Sequence, residues 1–449
     1  MLGIAMALPG AADGQESRTG SVQDDQPAPP PVSDPMLAPP PGPPRSIGSW
    51  DEALTLIRAQ SADYLSNYET IVRAQAQTRI ALAAILPQLN GQASYTHQFV
   101  TDTIVLGGAA IVTPPPDVFG AGATLAWSIV NPRSLYGVGT AEKNVDVAKS
   151  LFADRRRQIA SGAVGAILST LATARVAELN RAGLRSALER LALTQARLQF
   201  GQGTALDVDR GEQDVAAARS LIVTGDENLL QSREALGVSL GSPIPIAVPA
   251  DLDLEQFEGA VARTCRLNDT IERRPDIAAA RGRLEVAERS VRDAELLFVP
   301  YLNVASQAGY TSAVTFGPRS YWTVQGVLNV PLFDGGARYG ALRDSRAAVE
   351  QARQALTLTR LNAIVASTQA ARAVAVTSAS RQVAMQQRDL AARIDRRTRE
   401  GYARGLGTSL DLVTSAQALR QAEINLAVLE FQLGDARANA VLVNAECLY

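Results

Sequence analysis

Few side chains in this sequence are suited to acid, base, nucleophilic or metal-binding chemistry. The 449 residues include one histidine, His97, and two cysteines, Cys265 and Cys447. Histidine is the residue most often used in general acid and base catalysis, and zinc sites use clustered cysteine and histidine. The composition therefore disfavours hydrolases, redox enzymes and metalloenzymes. We expect no catalytic residues, no cofactor and no metal site.

The two cysteines could instead form a disulfide. Cys265 lies between the two halves of the chain, and Cys447 lies two residues before its last residue. A disulfide persists in an oxidising compartment such as the periplasm. Spacing alone does not show that two cysteines are close together, so the sequence leaves their pairing open.

Charge and hydropathy narrow the class further. The chain has 43 Lys and Arg against 45 Asp and Glu, spread without blocks, so it carries no electrostatic footprint for nucleic acid. No stretch approaches the 18 consecutive apolar residues of a transmembrane helix. Only helices and closed barrels span a bilayer, so the chain is predicted to be either soluble or strand-based in the membrane.

An internal repeat is the most informative pattern in the sequence. Three segments of the first half recur in the same order in the second half. The pairs are Leu86–Asn90 with Val299–Asn303, Tyr136–Gly137 with Tyr339–Gly340, and Gly203–Val208 with Gly407–Leu412. Each half predicts the order helix, strand, strand, long helix, turn, helix.

The long helices are predicted from apolar residues that recur every three to four positions. They cover Pro132 to Phe200 in the first half and Gly336 to Glu400 in the second. About 65 residues at about 1.5 Å each give a rod of roughly 100 Å, which is longer than a compact domain. Alanine at the contact positions lets such helices approach closely, as in coiled coils.

Four shorter segments alternate with a period of two, which indicates strands with two different faces. From Phe119 to Ile129 the odd positions are apolar and the even positions are small or polar. The other three segments run from Leu89 to Phe99, through Val304 and Tyr310, and from Trp322 to Val330. Each has about 10 residues, enough for a tilted strand to cross a bilayer, although a soluble sandwich would also alternate.

Four strands cannot close into a barrel, and an open edge in lipid leaves backbone groups unpaired. Several chains must therefore share one barrel, and three chains would supply about twelve strands. The segments Val100 to Asp117 and Thr311 to Ser320 are predicted to be external loops from their glycine and proline content.

The repeat also predicts the domain boundaries. Residues 49–240 form the first structural repeat, residues 241–269 a linker, and residues 270–449 the second repeat. Residues 1–48 combine a signal-like remnant with a proline-rich segment that we interpret as a disordered leader.

Several short motifs occur in the order typical of one family. They are Leu86-Pro87-Gln88-Leu89, Arg274-Pro275-Asp276-Ile277, Val299-Pro300-Tyr301-Leu302 and Pro331-Leu332-Phe333-Asp334-Gly335-Gly336, together with two glycine-bearing turns. With these motifs the chain from Trp50 onward resembles the TolC family, also called outer membrane factors. The resemblance implies an α+β membrane protein. It would be a homotrimer with a twelve-stranded β-barrel in the outer membrane of a Gram-negative bacterium and a long α-helical barrel across the periplasm.

The resemblance also implies a role and partners. The trimer would be the passive exit duct of a tripartite efflux or export system, working with a periplasmic adaptor (membrane fusion) protein and an inner membrane pump. The Arg274-Pro275-Asp276 opening is similar to the RND-type efflux branch, which favours efflux. Two alternatives stay open: a duct for type I protein secretion, and a soluble coiled-coil scaffold whose strands pack in water.

In that family the two helix turns lie at the periplasmic tip, where the duct is closed at rest and meets the adaptor. The corresponding positions are Gly201, Gly203, Thr204, Leu206, Gly405, Gly407, Thr408 and Leu410. Asp207 and Tyr402 match positions that hydrogen-bond between neighbouring tips, and Asp411 matches an acidic position lining the closed aperture. These three are the gate candidates. Two positions depart from the family pattern, since Gly407 replaces a basic residue and Thr414 replaces an acidic one.

Overall fold

The computed structural model describes residues 32–100, 102–113, 115–313, 318–447 and 449. The first half of the chain contains β1 (Arg45–Ser46), α1 (Trp50–Gln60), α2 (Ala62–Ala83), β2 (Gln88–His97), β3 (Asp102–Leu106), β4 (Ala109–Thr113), β5 (Asp117–Val130), α3 (Pro132–Gln199) and α4 (Ala205–Leu240). The rest contains β6 (Ile246–Ala247), α5 (Leu254–Thr264), β7 (Cys265–Leu267), α6 (Pro275–Glu295), β8 (Tyr301–Thr311), β9 (Ser320–Asn329), α7 (Ala337–Ala403), α8 (Ser409–Leu442) and β10 (Ala445–Cys447).

Each half contains one hairpin of long antiparallel helices, α3–α4 and α7–α8. The first helix of each pair has 68 or 67 residues, so each is a rod of roughly 100 Å. Asn131 caps α3 by accepting a hydrogen bond from the backbone N–H of Ser134 at 3.2 Å. Pro132 fits the first turn because no helical partner exists there for a backbone N–H. These hairpins confirm the predicted helical architecture.

The four long strands form one antiparallel sheet in the order β2-β5-β8-β9. Its two central strands come from different halves of the chain, so the repeats meet at the middle of the sheet. The register places the large apolar side chains on one face; they include Leu89, Leu125, Trp127, Val304, Trp322, Val324 and Leu328. The opposite face carries Asn90, Gln92, Thr124, Gln307 and Gln325. The predicted two-faced sheet is confirmed.

The segment between β2 and β5 differs from the predicted loop because β3 and β4 form a two-stranded hairpin. The turn is Gly107-Gly108, with φ of 63° and 89°. A two-residue hairpin turn with positive φ at both positions matches the twist of its strands, and glycine adopts it without steric cost. The same glycines that suggested a loop therefore make the hairpin.

Residues 32–46 also differ from the disordered leader inferred from proline content. Asp34 caps a short 3-10 helix and forms an ion pair with Arg219 of α4, with 2.7 Å between Oδ2 and Nη2. Met36 and Leu37 pack against the apolar core between α3 and α4. The segment then pairs with β6 through β1. The signal-like remnant and the first part of the leader lie outside the described residues.

A core of short elements surrounds the middle of α3. Trp50, Ile57 and Ile167 are at most 1 % exposed within it. Strand β7 pairs with β10 in the same core, and the register sets Cys265 directly opposite Cys447. The two sulfur atoms are bonded. The pairing that the sequence left open is therefore a disulfide, and it joins the segment between the repeats to the last strand.

One stretch of α3 corrects the expectation that no segment is apolar enough to span a membrane. An 18-residue window of this helix passes that test by length and composition, and 44 % of the window is buried inside the chain. Ala160, Val164 and Leu168 on α3 belong to the core just described. The apolar run therefore follows from helix packing in the core.

The disulfide is expected to raise the stability of the core. It joins residues 182 positions apart, and closing so long a loop in the unfolded chain corresponds to about 5 kcal/mol in the chain-entropy model. Replacing both Cys265 and Cys447 by serine should lower the thermal unfolding midpoint measured by circular dichroism. Dithiothreitol should lower the midpoint of the unmodified protein and leave that of the double variant unchanged. Equal shifts in both proteins would contradict this assignment.

Candidate gate at the helical tips

The two helical hairpins reverse direction through turns of the same geometry. Gly201 and Gly405 have φ of 71° and 77°, in the left-handed region that glycine adopts most easily. In each turn the next backbone N–H donates to the carbonyl oxygen five residues earlier, at 2.8 Å and 2.9 Å. This is the hydrogen bonding of a Schellman motif, in which the glycine permits the tight reversal of the chain.

Both turns lead into a helix through a capping box. Thr204 accepts a hydrogen bond from the backbone N–H of Asp207 at 3.3 Å, and the Asp207 carboxylate accepts one from the backbone N–H of Thr204 at 3.0 Å. Thr408 and Asp411 repeat the pattern at 3.2 Å and 3.1 Å. The two capping boxes thus satisfy backbone donors that a helix start leaves unpaired.

Asp207 also connects the two hairpins of one protomer. The Ser409 hydroxyl at the start of α8 donates to Asp207 Oδ1. Arg210 Nη1 donates to the same hydroxyl oxygen at 3.3 Å. The Ser409 hydrogen bond is the main reason that the pKa of Asp207 lies below its ordinary value, with further contributions from Thr204 and the Arg210 charge. Asp207 is therefore an ionised acceptor at neutral pH.

Tyr402 is buried at the same level and contacts a cation from the other hairpin. The Arg197 guanidinium carbon lies 4.5 Å from the centre of the Tyr402 ring, and Arg197 Nη1 donates to the Tyr402 carbonyl oxygen at 2.7 Å. Burial raises the pKa of the Tyr402 hydroxyl. Arg197 supplies a positive charge beside the turn in which Gly407 replaces the basic residue of the family pattern.

Asp411 lies apart from this group. Its carboxylate accepts a hydrogen bond from the Thr408 hydroxyl at 2.6 Å, which holds the pKa of Asp411 below its ordinary value. Its side chain is exposed. The structure thus brings Asp207 and Tyr402 into one cluster that spans both hairpins, whereas Asp411 caps its own helix.

A second contact between the hairpins lies about two helical turns above the tip. Asp214 of α4 is 1 % exposed and accepts a hydrogen bond from Arg190 Nε of α3 at 3.1 Å. Its other oxygen accepts one from Gln417 Nε2 of α8 at 3.0 Å. Removing one partner of a buried ion pair strands the other without water, so this contact is costly to break. It fixes the helices above the more exposed tip.

Sequence reasoning did not identify Arg197, Arg210 or Ser409 as part of this site. No motif marks them, and basic residues on long helices are usually solvated. The repeat itself contains a signal for Ser409, since Ala205 occupies the equivalent place in the first half. A residue that differs between otherwise matching turns is a candidate for a contact that only one turn makes.

Exposed apolar side chains surround both turns. Phe200 and Leu406 are 79 % and 83 % exposed, and Leu206 and Leu410 are about half exposed. Large apolar residues clustered at an exposed end indicate a surface that another protein covers.

Comparison with known proteins identifies the family. The family model for the outer membrane efflux protein matches residues 56–242 and 267–441, which is more than half of the chain. The chain belongs to the outer membrane efflux protein family. This confirms the TolC-type resemblance and the outer membrane location, with helices extending into the periplasm.

Three curated relatives are named for resistance, efflux or export. The fusaric acid resistance protein FusA of Burkholderia cepacia is 25 % identical over 63 % of this chain and 55 % of its own length. The toluene efflux pump outer membrane protein TtgC of Pseudomonas putida is 27 % identical over 61 % and 57 %. The pyoverdine export outer membrane protein OpmQ of Pseudomonas putida is 28 % identical over 60 % and 57 %. The chain thus matches a little over half the length of these relatives.

Solved structures of outer membrane channels have the same fold. The CmeC outer membrane channel of Campylobacter jejuni superposes with a TM-score of 0.74 at 14 % identity, covering 98 % of this chain and 93 % of that one. VceC of Vibrio cholerae gives 0.70 at 18 % identity, with coverage of 88 % and 96 %. The open-state MtrE channel of Neisseria gonorrhoeae gives 0.70 at 16 %, with coverage of 87 % and 88 %. The predicted combination of long helical hairpins and a strand domain is confirmed.

The contact between Asp207 and Ser409 predicts a gating phenotype. Asp207→Ala removes the acceptor that joins the hairpins, so single-channel conductance in planar bilayers should rise. Ser409→Ala should have the same effect without touching the capping box of α4. Asp209→Ala is the matched control because it removes the same charge from an exposed position two residues away. Equal conductance of the Asp207 and Asp209 variants would contradict the gate assignment.

The Tyr402 hydroxyl gives a second, separate prediction. Tyr402→Phe keeps the ring that packs under Arg197 and removes the hydroxyl, which is the group that the gate assignment pairs with a neighbouring tip. Single-channel conductance should rise, and the melting temperature should stay close to that of the unmodified protein. Tyr339→Phe, at an exposed position far from the tip, serves as the control. If the Tyr402→Phe and Tyr339→Phe variants have the same conductance, the Tyr402 hydroxyl is not part of the gate.

Proposed function

We propose that three copies of this chain form one passive exit duct through the outer membrane. The observation that carries the proposal is the sheet of β2, β5, β8 and β9, which has one apolar and one polar face and continues directly into long helical hairpins. In a bilayer the apolar face contacts lipid and the polar face lines an aqueous lumen. The hairpins extend that lumen by roughly 100 Å.

The edges of the sheet support a shared barrel. Within the described residues, β2 and β9 each pair on one side only. An unpaired edge in lipid costs several kcal/mol for each backbone group, so the free edge of β9 must meet the edge of β2 from another copy. Three copies give about twelve strands, which is wide enough for an open lumen.

An exposed apolar seam on α7 supports the same assembly. Seven side chains on this helix lie within one narrow stripe and are each more than half exposed: Leu358, Leu361, Val365, Val376, Val383, Leu390 and Ile394. The stripe runs for about 54 Å along α7, and Val376, Val383 and Leu390 keep the seven-residue spacing of a coiled-coil contact. A second copy of this chain is the partner that would cover it along its whole length.

The cargo and partners are inferred from the relatives. FusA, TtgC and OpmQ are named for resistance to fusaric acid, toluene efflux and pyoverdine export. We infer that this duct serves small-molecule efflux with a periplasmic adaptor and an inner membrane pump. A duct for type I protein secretion would use the same channel with a different pump, whereas membership of an outer membrane family disfavours a soluble scaffold.

The tips and the domain boundaries complete the proposal. Asp207 and Tyr402 hold the resting tip closed, and Asp411 contributes an acidic ring when three copies meet on the symmetry axis. The glycine turns and their apolar neighbours, Leu206 and Leu410, dock the adaptor. Residues 49–240 and 270–449 act as the two structural repeats of each protomer.

A seam substitution tests the assembly and its location together. The unmodified chain should be recovered in outer membrane vesicles as a detergent-stable trimer on native gels. Val383→Glu places a charge in the seam, so most of the protein should run as monomer, whereas the control Val383→Ile keeps the apolar contact. Export should fall with the Glu variant in a strain that depends on this chain. Recovery of the unmodified protein as a soluble monomer would refute the duct.

A further inference from the structure

The polar face of the sheet is uncharged in the strands that the structure describes. One cross-strand row consists of Asn90, Thr124, Gln307 and Thr323, which are direct neighbours in the register. Amide and hydroxyl groups solvate a lumen without selecting cations or anions. Without charges on this face, the width of the duct and its hydrogen-bonding groups are what can discriminate between solutes in this part.

One aromatic side chain lies on this face near the outer end of the sheet. Tyr321 is the second residue of β9, and its register partner on β8 is Gly309. A Cβ atom on Gly309 would lie 2.6 Å from two Tyr321 ring carbons and 2.7 Å from its hydroxyl oxygen. The ring therefore lies flat across the glycine backbone. It occupies space that any other residue at position 309 would fill.

The neighbouring strand, β5, also has a glycine at this level of the sheet. Gly309 pairs with Gly122 of β5, so two glycines stand side by side on the face that carries Tyr321. Glycine in a strand marks a place where another group approaches the backbone closely. Here that group is the Tyr321 side chain, which covers Gly309 as an aromatic ring covers a glycine in other sheets.

We propose that Tyr321 sets the width of the duct near its outer exit, and that Gly309 holds its ring against the wall. The proposal rests on the three-copy duct proposed above, which would place three such rings around one lumen. With the rings flat the exit is wide. A ring displaced from its glycine is expected to rise away from the sheet, toward the lumen, because the backbone of β8 lies beneath it.

The substitution Gly309→Ala tests this arrangement. The new Cβ would clash with the end of a flexible side chain, so the ring should move while the strand stays in place. Single-channel conductance should fall about twofold in the Asp207→Ala background, in which the closed tip no longer limits conduction and the pore diameter at the exit does. Combining Gly309→Ala with Tyr321→Ala should restore the conductance to the level of a protein that carries Tyr321→Ala without the Gly309 change.

Gly326→Ala is the matched control, since a Cβ at that position meets no heavy atom within 4 Å. Equal conductance of the Gly309 and Gly326 variants would overturn the proposal, as would a loss that Tyr321→Ala does not relieve. If the unmodified chain and all variants fail to conduct, the duct itself is wrong, and this proposal falls with it.

Cysteine labelling tests the placement of Tyr321 independently. Cys265 and Cys447 are bonded to each other, so an introduced thiol reacts without competition from them. Tyr321→Cys should react with a bulky polar maleimide added outside intact cells, and the label should lower conductance below that of the unlabelled variant. Trp322→Cys, on the opposite face, should react at least tenfold more slowly. Equal labelling rates at positions 321 and 322 would overturn the lumenal placement.

Discussion

The requirement that every backbone group in lipid be paired governs this structure. In a sheet of four strands the backbone groups between neighbouring strands are paired, but those on the outer sides of β2 and β9 are not. The protomer is therefore incomplete in a membrane in a way that a soluble protein of this size is not. In the proposed trimer the exposed apolar seam on α7 serves the same requirement, because the helices that continue the strands meet the neighbouring copy along the same boundary.

Duplication supplies two hairpins with matching turns, and small sequence differences give the turns different contacts. Both turns have a left-handed glycine and a Thr–Asp capping box. Of the two capping aspartates, only Asp207 accepts a hydrogen bond from the other hairpin, because Ser409 occupies the position that is Ala205 in the first repeat. A helix cap contributes on the order of 1 kcal/mol, and a hydrogen bond to a charged group such as Asp207 about 1.5–3 kcal/mol. Contacts of this strength can hold a tip closed and still let a binding partner shift the equilibrium.

The parts predicted well from sequence were those with strong periodicity. The 3.6-residue pattern after Pro132 and the two-residue pattern after Phe119 gave the long helix and the strand, because burial of one face dominates both. The β3–β4 hairpin was missed because Gly-Gly is compatible with both a loop and a two-residue turn. Residues 32–46 lack periodicity, and tertiary contacts such as the Asp34–Arg219 ion pair order them. The gate candidates were predicted from the resemblance to the TolC family. The roles of Arg197 and Ser409 were recognised only from their contacts in the folded structure.

The charged residues and the uncharged lining lie in different parts of the proposed duct. The tip gathers Arg197, Asp207, Arg210 and Asp411 within a few turns of the helices, whereas the polar face of the sheet carries amides, hydroxyls and glycines. Electrostatic selection therefore belongs to the tip, where charges lie close to a narrow axis, and steric selection belongs to the sheet. In the proposed duct, a solute that passes the tip then meets an uncharged lining that discriminates by size and hydrogen bonding rather than by charge.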